Sequence, residues 1–278
     1  MSNLIDLIPV ELLEDIRLGE CLPIVGAGFS RNAVLPPRCQ MPLWTDLGAQ
    51  VAKRMGRADA KSPTVELSEY CREFSKFELI KLLRKSLHVC TARPGTVHAQ
   101  FAALPFQQVL TTNFDFLIER AYDEAGKSYL PVVDEDLLSF GRPDGEVRII
   151  KMHGDLHHPS LMVVTEEDYD NFRDGHAPMF NEVTNLLTKH SVLFIGYSID
   201  DPDFRQIWRL VDRYLGALRR PAYAILVGAT NDQVQTYKRR GVTRVLTLPG
   251  TPRNYGVVLS DVLRMIGDAI NSRARKRP

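Results

Sequence analysis

Three short phrases in this chain bring together residue types that act on a phosphorylated ligand. Cys21–Ser30 reads C-L-P-I-V-G-A-G-F-S, an apolar run ending in a tight glycine turn. Thr111–Asp115 reads T-T-N-F-D and Lys151–Asp155 reads K-M-H-G-D, each again closing an apolar run. Gly26, Ala27 and Gly28 are small enough for a backbone to approach a pyrophosphate. A helix starting there offers free N–H groups and positive dipole to it. Asn113 and Asp115 add an amide and a carboxylate, with Thr112 beside them. His153 adds a group that exchanges a proton near neutral pH. Three apolar strands ending in these groups predict a nucleotide site with chemistry attached.

Each residue also has a purely structural reading. A G-x-G turn serves any tight strand-to-helix junction, and Arg31 stands where the full G-x-G-x-x-G fingerprint needs its last glycine. The full G-x-x-x-x-G-K-[ST] pattern is absent, which excludes a P-loop. Asn113 or Asp115 would serve as the cap of a helix over 116–124. A histidine at a strand end, as His153 is, also fits as a satisfied polar residue. A fourth run, Phe194-Ile195-Gly196-Tyr197-Ser198, ends in a further glycine and hydroxyl, so Gly196 and Ser198 are candidate ligand contacts. Asp200, Asp201 and Asp203 around Pro202 read as caps of the next helix. Gly228, after the run 223–227, is a weaker candidate facing a base or ribose.

The elements that must hold these residues are strands and long connections. Apolar runs at 22–25, 108–112, 147–152, 192–195, 223–227 and 244–248 are continuous rather than alternating. That pattern predicts strands covered on both faces. The fold class expected is α/β: a Rossmann-like, doubly wound, mostly parallel sheet of about six strands in a single domain over 1–278. Residues 10–19 and 255–271 read as terminal helices and as candidate assembly surfaces. Residues 203–218 form a strong amphipathic helix with Phe204, Ile207, Trp208, Val211 and Leu215 on one stripe. Two connections exceed a simple crossover. Residues 31–104 carry helical patterns at 44–55, 64–74 and 76–88 and are expected to form a helical cap. Residues 157–190 form a second helical insertion, in which Thr165 caps a helix beginning at Glu166.

The totals narrow the class. With 278 residues, 44% apolar and 25% charged, the chain builds a full core. A formal charge of +1 gives the body no electrostatic reason to bind nucleic acid. Only the end is basic, through Arg273, Arg275, Lys276 and Arg277. The four cysteines, Cys21, Cys39, Cys71 and Cys90, form no C-x-x-C pair, against both a zinc knot and a disulfide framework. His157 and His158 follow His153, but Gly154 and Pro159 break the regular helix that a helical zinc pair requires; no metal is expected. Neither a signal peptide nor a membrane-length apolar run is present, so a cytoplasmic location is expected.

G-A-G-F-S, T-T-N-F-D, K-M-H-G-D and G-Y-S-I-D-D-P-D occur in this order at strand ends, over roughly residues 22–204. The pattern resembles the sirtuin-like superfamily, the silent-information-regulator fold. More narrowly it is similar to the bacterial branch that hydrolyses NAD in anti-phage defence. The resemblance implies NAD as substrate, with Gly26, Ala27, Gly28, Ser30, Thr112, Gly196 and Ser198 around its phosphates and ribose. It implies Asn113 and Asp115 at the nicotinamide end, positioning water, and His153 as the catalytic histidine. It also implies a homo-oligomer, or a HerA-type ATPase or short Argonaute partner. The deacylase sirtuins differ, since their paired zinc cysteines are missing here and Pro42-Leu43-Trp44 replaces their proline-phenylalanine-arginine segment. Water then becomes the expected nucleophile. Two alternatives stay open: a non-catalytic module that senses NAD or ADP-ribose, and an NAD-dependent protein deacylase.

Overall fold

The computed structural model describes residues 4–139, 145–199 and 201–274. Continuous apolar runs form a parallel sheet, because side chains pointing to either face meet helices. In chain order the elements are α1 (Val10–Leu18), β1 (Cys21–Val25), α2 (Ala27–Ser30), α3 (Trp44–Arg54), α4 (Pro63–Phe74), α5 (Lys76–Ser86) and α6 (Thr96–Ala103). There follow β2 (Gln108–Thr111), α7 (Leu117–Glu124), β3 (Tyr129–Val132), β4 (Val147–Lys151), α8 (Glu166–Gly175) and α9 (Ala177–Lys189). The rest comprises β5 (Ser191–Ile195), α10 (Pro202–Leu215), β6 (Ala222–Val227), α11 (Asn231–Arg239), β7 (Arg244–Leu248) and α12 (Tyr255–Ala274).

The sheet has seven strands in the order β3-β4-β2-β1-β5-β6-β7, every pair parallel. Consecutive residues of a strand alternate between the two layers. Val25, Val109, Ile149 and Leu193 pack with α1, α6 and α12 on one face. Ile24, Leu110, Ile150 and Phe194 pack with α9 and α10 on the other. The side on which strands are added switches around β1, since β2 lies on one side of it and β5 on the other. The carboxyl ends of the strands at such a switch point are the usual ligand position of a doubly wound sheet.

The α/β class is as expected, with differences in detail. The seventh strand, β3, escaped the sequence pattern because Pro131 interrupts it and it runs along the sheet edge, half-buried. Residues 31–104 carry α6 besides the three expected helices, and α6 packs on α12 beneath the sheet. The helices α3, α4 and α5 close a third apolar cluster with Phe114, Phe116, Leu156 and Val164. Residues 157–190 form two helices, and α9 buries Val183 and Leu187 against the sheet. Thr165 and Asp168 do make the expected reciprocal cap of α8. The apolar stripes of α1 and α12 face the core, through Leu12, Ile16, Leu263 and Ile266. Arg273 lies in the last turn of α12; Arg275, Lys276 and Arg277, like Asp200, lie outside the described residues.

Candidate functional site

The chain leaves β1 through Gly26 and β5 through Gly196, and the two exits touch backbone to backbone. Gly26 N–H donates to Ile195 O at 3.2 Å and Gly28 N–H to Gly196 O at 2.9 Å. A Cβ on Gly26 would stand 2.7 Å from Gly196 O, and one on Gly196 only 2.2 Å from Phe29 N. Gly196 also has φ of +59°, which disfavours any side chain. These glycines therefore join two strand exits, the plainer of the two sequence readings. The helix that follows is a single turn, α2, and its Gly28 N–H donates to Gly196 O.

Chemistry gathers one residue further on. Ser30, 2% exposed, donates its hydroxyl to Asp115 Oδ2 at 2.7 Å and accepts from Asn113 Nδ2 at 3.0 Å. Asp115 Oδ1 accepts from Leu117 N–H at 3.0 Å, so this one carboxylate caps α7 and anchors Ser30. Thr111 donates its hydroxyl to Val25 O at 2.8 Å and accepts from Asn113 N–H at 3.0 Å, locking β2 to β1 at the turn. Ser30 thus binds the amide and the acid to each other. Ala27, Thr112 and Gly196 are half-buried around this network, and Ser198 is exposed. Gly228 packs against Gly250, where a Cβ would meet the carbonyl oxygen at 2.4 Å.

Beneath Asp115 lies a buried cation. Lys151 Nζ, on β4, donates to Asp115 O at 2.5 Å and to Glu119 Oε1 at 2.6 Å, and stands 4.7 Å from the Phe116 ring centre. Burial raises the Glu119 carboxyl, with Lys151 pulling against that rise. His98 is also buried against Phe29, its Nδ1 accepting from Gly95 N–H at 3.1 Å, and burial lowers its pKa to about 4. Neither the Lys151–Glu119 pair nor His98 stands out in the sequence, because each looks like a surface residue until the fold closes over it.

His153 sits elsewhere. It follows β4, and Gly154, with φ of +70°, turns the chain sharply away. The ring is 1% exposed and covered edge-on by Tyr169 and Phe172 of α8. Its Nε2 lies 3.3 Å from Asp203 Oδ2 and its Nδ1 3.7 Å from Asp201 Oδ2. Asp201 is the cap of α10, accepting from Phe204 N–H at 2.9 Å, whereas Asp203 caps nothing and turns to the imidazole. The structure therefore unites Ser30, Asn113 and Asp115, and builds a second cluster from His153, Asp201 and Asp203. The loops after β2 and β4 are joined through the backbone, Met152 N–H donating to Thr111 O at 2.9 Å and Leu156 N–H to Phe114 O at 3.5 Å. The donor atoms of His153, Asp201 and Asp203 lie within 4.8 Å of one another, close enough to hold a cation. Each ring nitrogen of His153 faces a carboxylate. His157 stacks on Phe116 and His158 pairs with Asp155, so neither joins this cluster.

A parallel α/β sheet with buried polar groups at the strand ends of its switch point defines the class as Rossmann-like. Within that class the chain carries a SIR2-like domain: residues 107–244 match the family model of that description. That span includes Asn113, Asp115, His153 and Asp203, while the glycine turn precedes it. An NAD(+) hydrolase ThsA of Enterococcus faecium is 34% identical over 131 residues, 46% of this chain and 27% of that protein. The NAD(+) hydrolase ThsA of Acinetobacter baumannii is 30% identical over 132 residues, 48% of this chain and 27% of that protein. Defense-associated sirtuin 2 of Bacillus subtilis is 24% identical over 209 residues, 72% of this chain but 20% of that protein. The chain spans only about a quarter of the length of these curated relatives. No helix among the described residues is long and apolar enough to cross a membrane.

Proposed function

We propose that this chain hydrolyses NAD to nicotinamide and ADP-ribose, as an effector in anti-phage defence. The observation that carries the reading is the Ser30-centred pairing of Asn113 with Asp115 beside the β1 turn, in a SIR2-like chain whose relatives are named NAD hydrolases. In the reaction the bond from ribose C1′ to the pyridinium nitrogen breaks. Its electron pair neutralises the leaving nicotinamide, and positive charge grows on the sugar. A water oxygen then bonds to C1′ and releases one proton. Asn113, oriented by Ser30, is the group for the nicotinamide amide or the attacking water, and Asp115 supplies negative charge near the cationic sugar. Held orientation of the dinucleotide lowers the barrier further.

His153 is the base proposed for that proton, a role contributing on the order of 10²–10⁴ in rate. A ring that is 1% exposed meets substrate only after its neighbours move. Tyr169 and Phe172 of α8 cover it edge-on, with Asp201 beside Nδ1. In this reading they open when NAD enters. The sealed imidazole also favours a second reading, a module that senses NAD without consuming it. Mass spectrometry of nucleotides in cells expressing the chain separates the two. Hydrolysis predicts loss of NAD with gain of nicotinamide and ADP-ribose, absent with Asn113→Ala. Unchanged NAD pools alongside tight NAD binding by the purified protein would favour the sensor. A homo-oligomer or a separate ATPase or Argonaute subunit remains the proposed means of restraining such an activity.

A further inference from the structure

Asp203 is a buried carboxylate in the first turn of α10 that makes no capping hydrogen bond. It is 2% exposed, and its Oδ2 has no hydrogen bond of standard geometry. The cap of α10 is supplied by Asp201. Burying a carboxylate without a partner is unfavourable, so such a group calls for an explanation. The atom facing Asp203 Oδ2 is His153 Nε2, 3.3 Å away, itself buried and otherwise without a partner. An orphan donor and an orphan acceptor thus answer each other.

We propose that Asp203 is the positioning residue for His153: its Oδ2 takes the Nε2 proton, fixes the ring in the Nε2–H tautomer and leaves Nδ1 to accept a proton. Its part in turnover rests on the hydrolase reading, whereas the pairing itself does not. Nδ1 is on the less committed side. Asp201 Oδ2 is 3.7 Å from it and already accepts the Tyr169 hydroxyl at 3.4 Å. When Nδ1 gains a proton, the imidazolium lies between two carboxylates and is stabilised there. The groups that set its charge are Asp201 and Asp203 from α10 and the Tyr169 hydroxyl from α8, with Asp170 acting on Asp203. Burial opposes a charged ring, but the two carboxylates outweigh it and hold His153 above its ordinary range.

The test is nitrogen-15 NMR of the histidine rings in the full chain, with the His153 signals identified by their loss in His153→Gln. In the wild type, neutral His153 is expected to carry its proton on Nε2 and to titrate above the ordinary value of about 6.5. Asp203→Asn is expected to lower that midpoint by about one pH unit or more, and Asp203→Glu to keep it raised. A wild-type ring protonated on Nδ1 overturns the proposal. So does an unmoved midpoint in a folded Asp203→Asn protein, or displacement of the ring proton by equimolar zinc, which would make the cluster a metal site. Turnover provides the second arm. The imidazole must be neutral to accept a proton, so activity rises with pH through its pKa. Asp203→Asn should move that limb to lower pH while kcat falls on the order of 10² and the KM for NAD holds. A purely structural loss would leave the limb in place. Absence of NAD hydrolysis beside a shifted titration would overturn the hydrolase reading and leave the pairing supported.

Discussion

Ser30 decides how Asn113 and Asp115 present themselves. One hydroxyl satisfies a buried amide and a buried carboxylate, so Ser30→Ala leaves two polar groups short of a partner. The expected loss is about 1–3 kcal/mol of stability by urea denaturation; a change near zero would mean that water replaces the hydroxyl. Gly196→Ala should be worse, since its Cβ would stand 2.2 Å from Phe29 N at a positive φ. That variant is expected to lose more than about 3 kcal/mol, and a normal denaturation midpoint would contradict the close approach of the two turns. Gly26 and Gly28 were legible in the sequence as a turn. What they turn against was not, because Gly196 lies far along the chain and pairs through topology alone. The same limit hid Asp203: next to a proline it reads as a cap, and only the fold brings it to His153.

Among elements, the pairing of β4 with α7 depends on Lys151 and Glu119. Both are buried, so removing one leaves a charge without compensation. Lys151→Met should cost about 3–5 kcal/mol, while Lys151→Met with Glu119→Leu should recover most of it. Thermal or urea melts of the single and double variants check this, and additive losses would contradict it. Six of the seven strands were readable from their continuous apolar runs, which need no long-range knowledge. The edge strand β3 was not, since Pro131 and half-burial weaken its pattern. The helix α9 was merged into one insertion with α8, because Gly175 and His176 mark a break that periodicity alone does not resolve.

At the scale of the molecule, burial makes stability depend on pH. His98 is held neutral with a folded pKa of about 4, against about 6.5 when unfolded. The unfolded chain therefore binds more protons between those values, and stability falls as pH drops through that window, by on the order of 3 kcal/mol. In His98→Gln this part of the slope should flatten; an unchanged slope would assign acid lability to other groups. The sheet order brings β4, β2, β1 and β5 side by side, so all four motifs leave one edge of one layer. The most direct test of the account is nicotinamide release from NAD by the purified chain, compared with Asn113→Ala and His153→Ala. The account predicts turnover by the wild type and a fall of at least about a hundredfold in each variant. Equal turnover by all three proteins would contradict it.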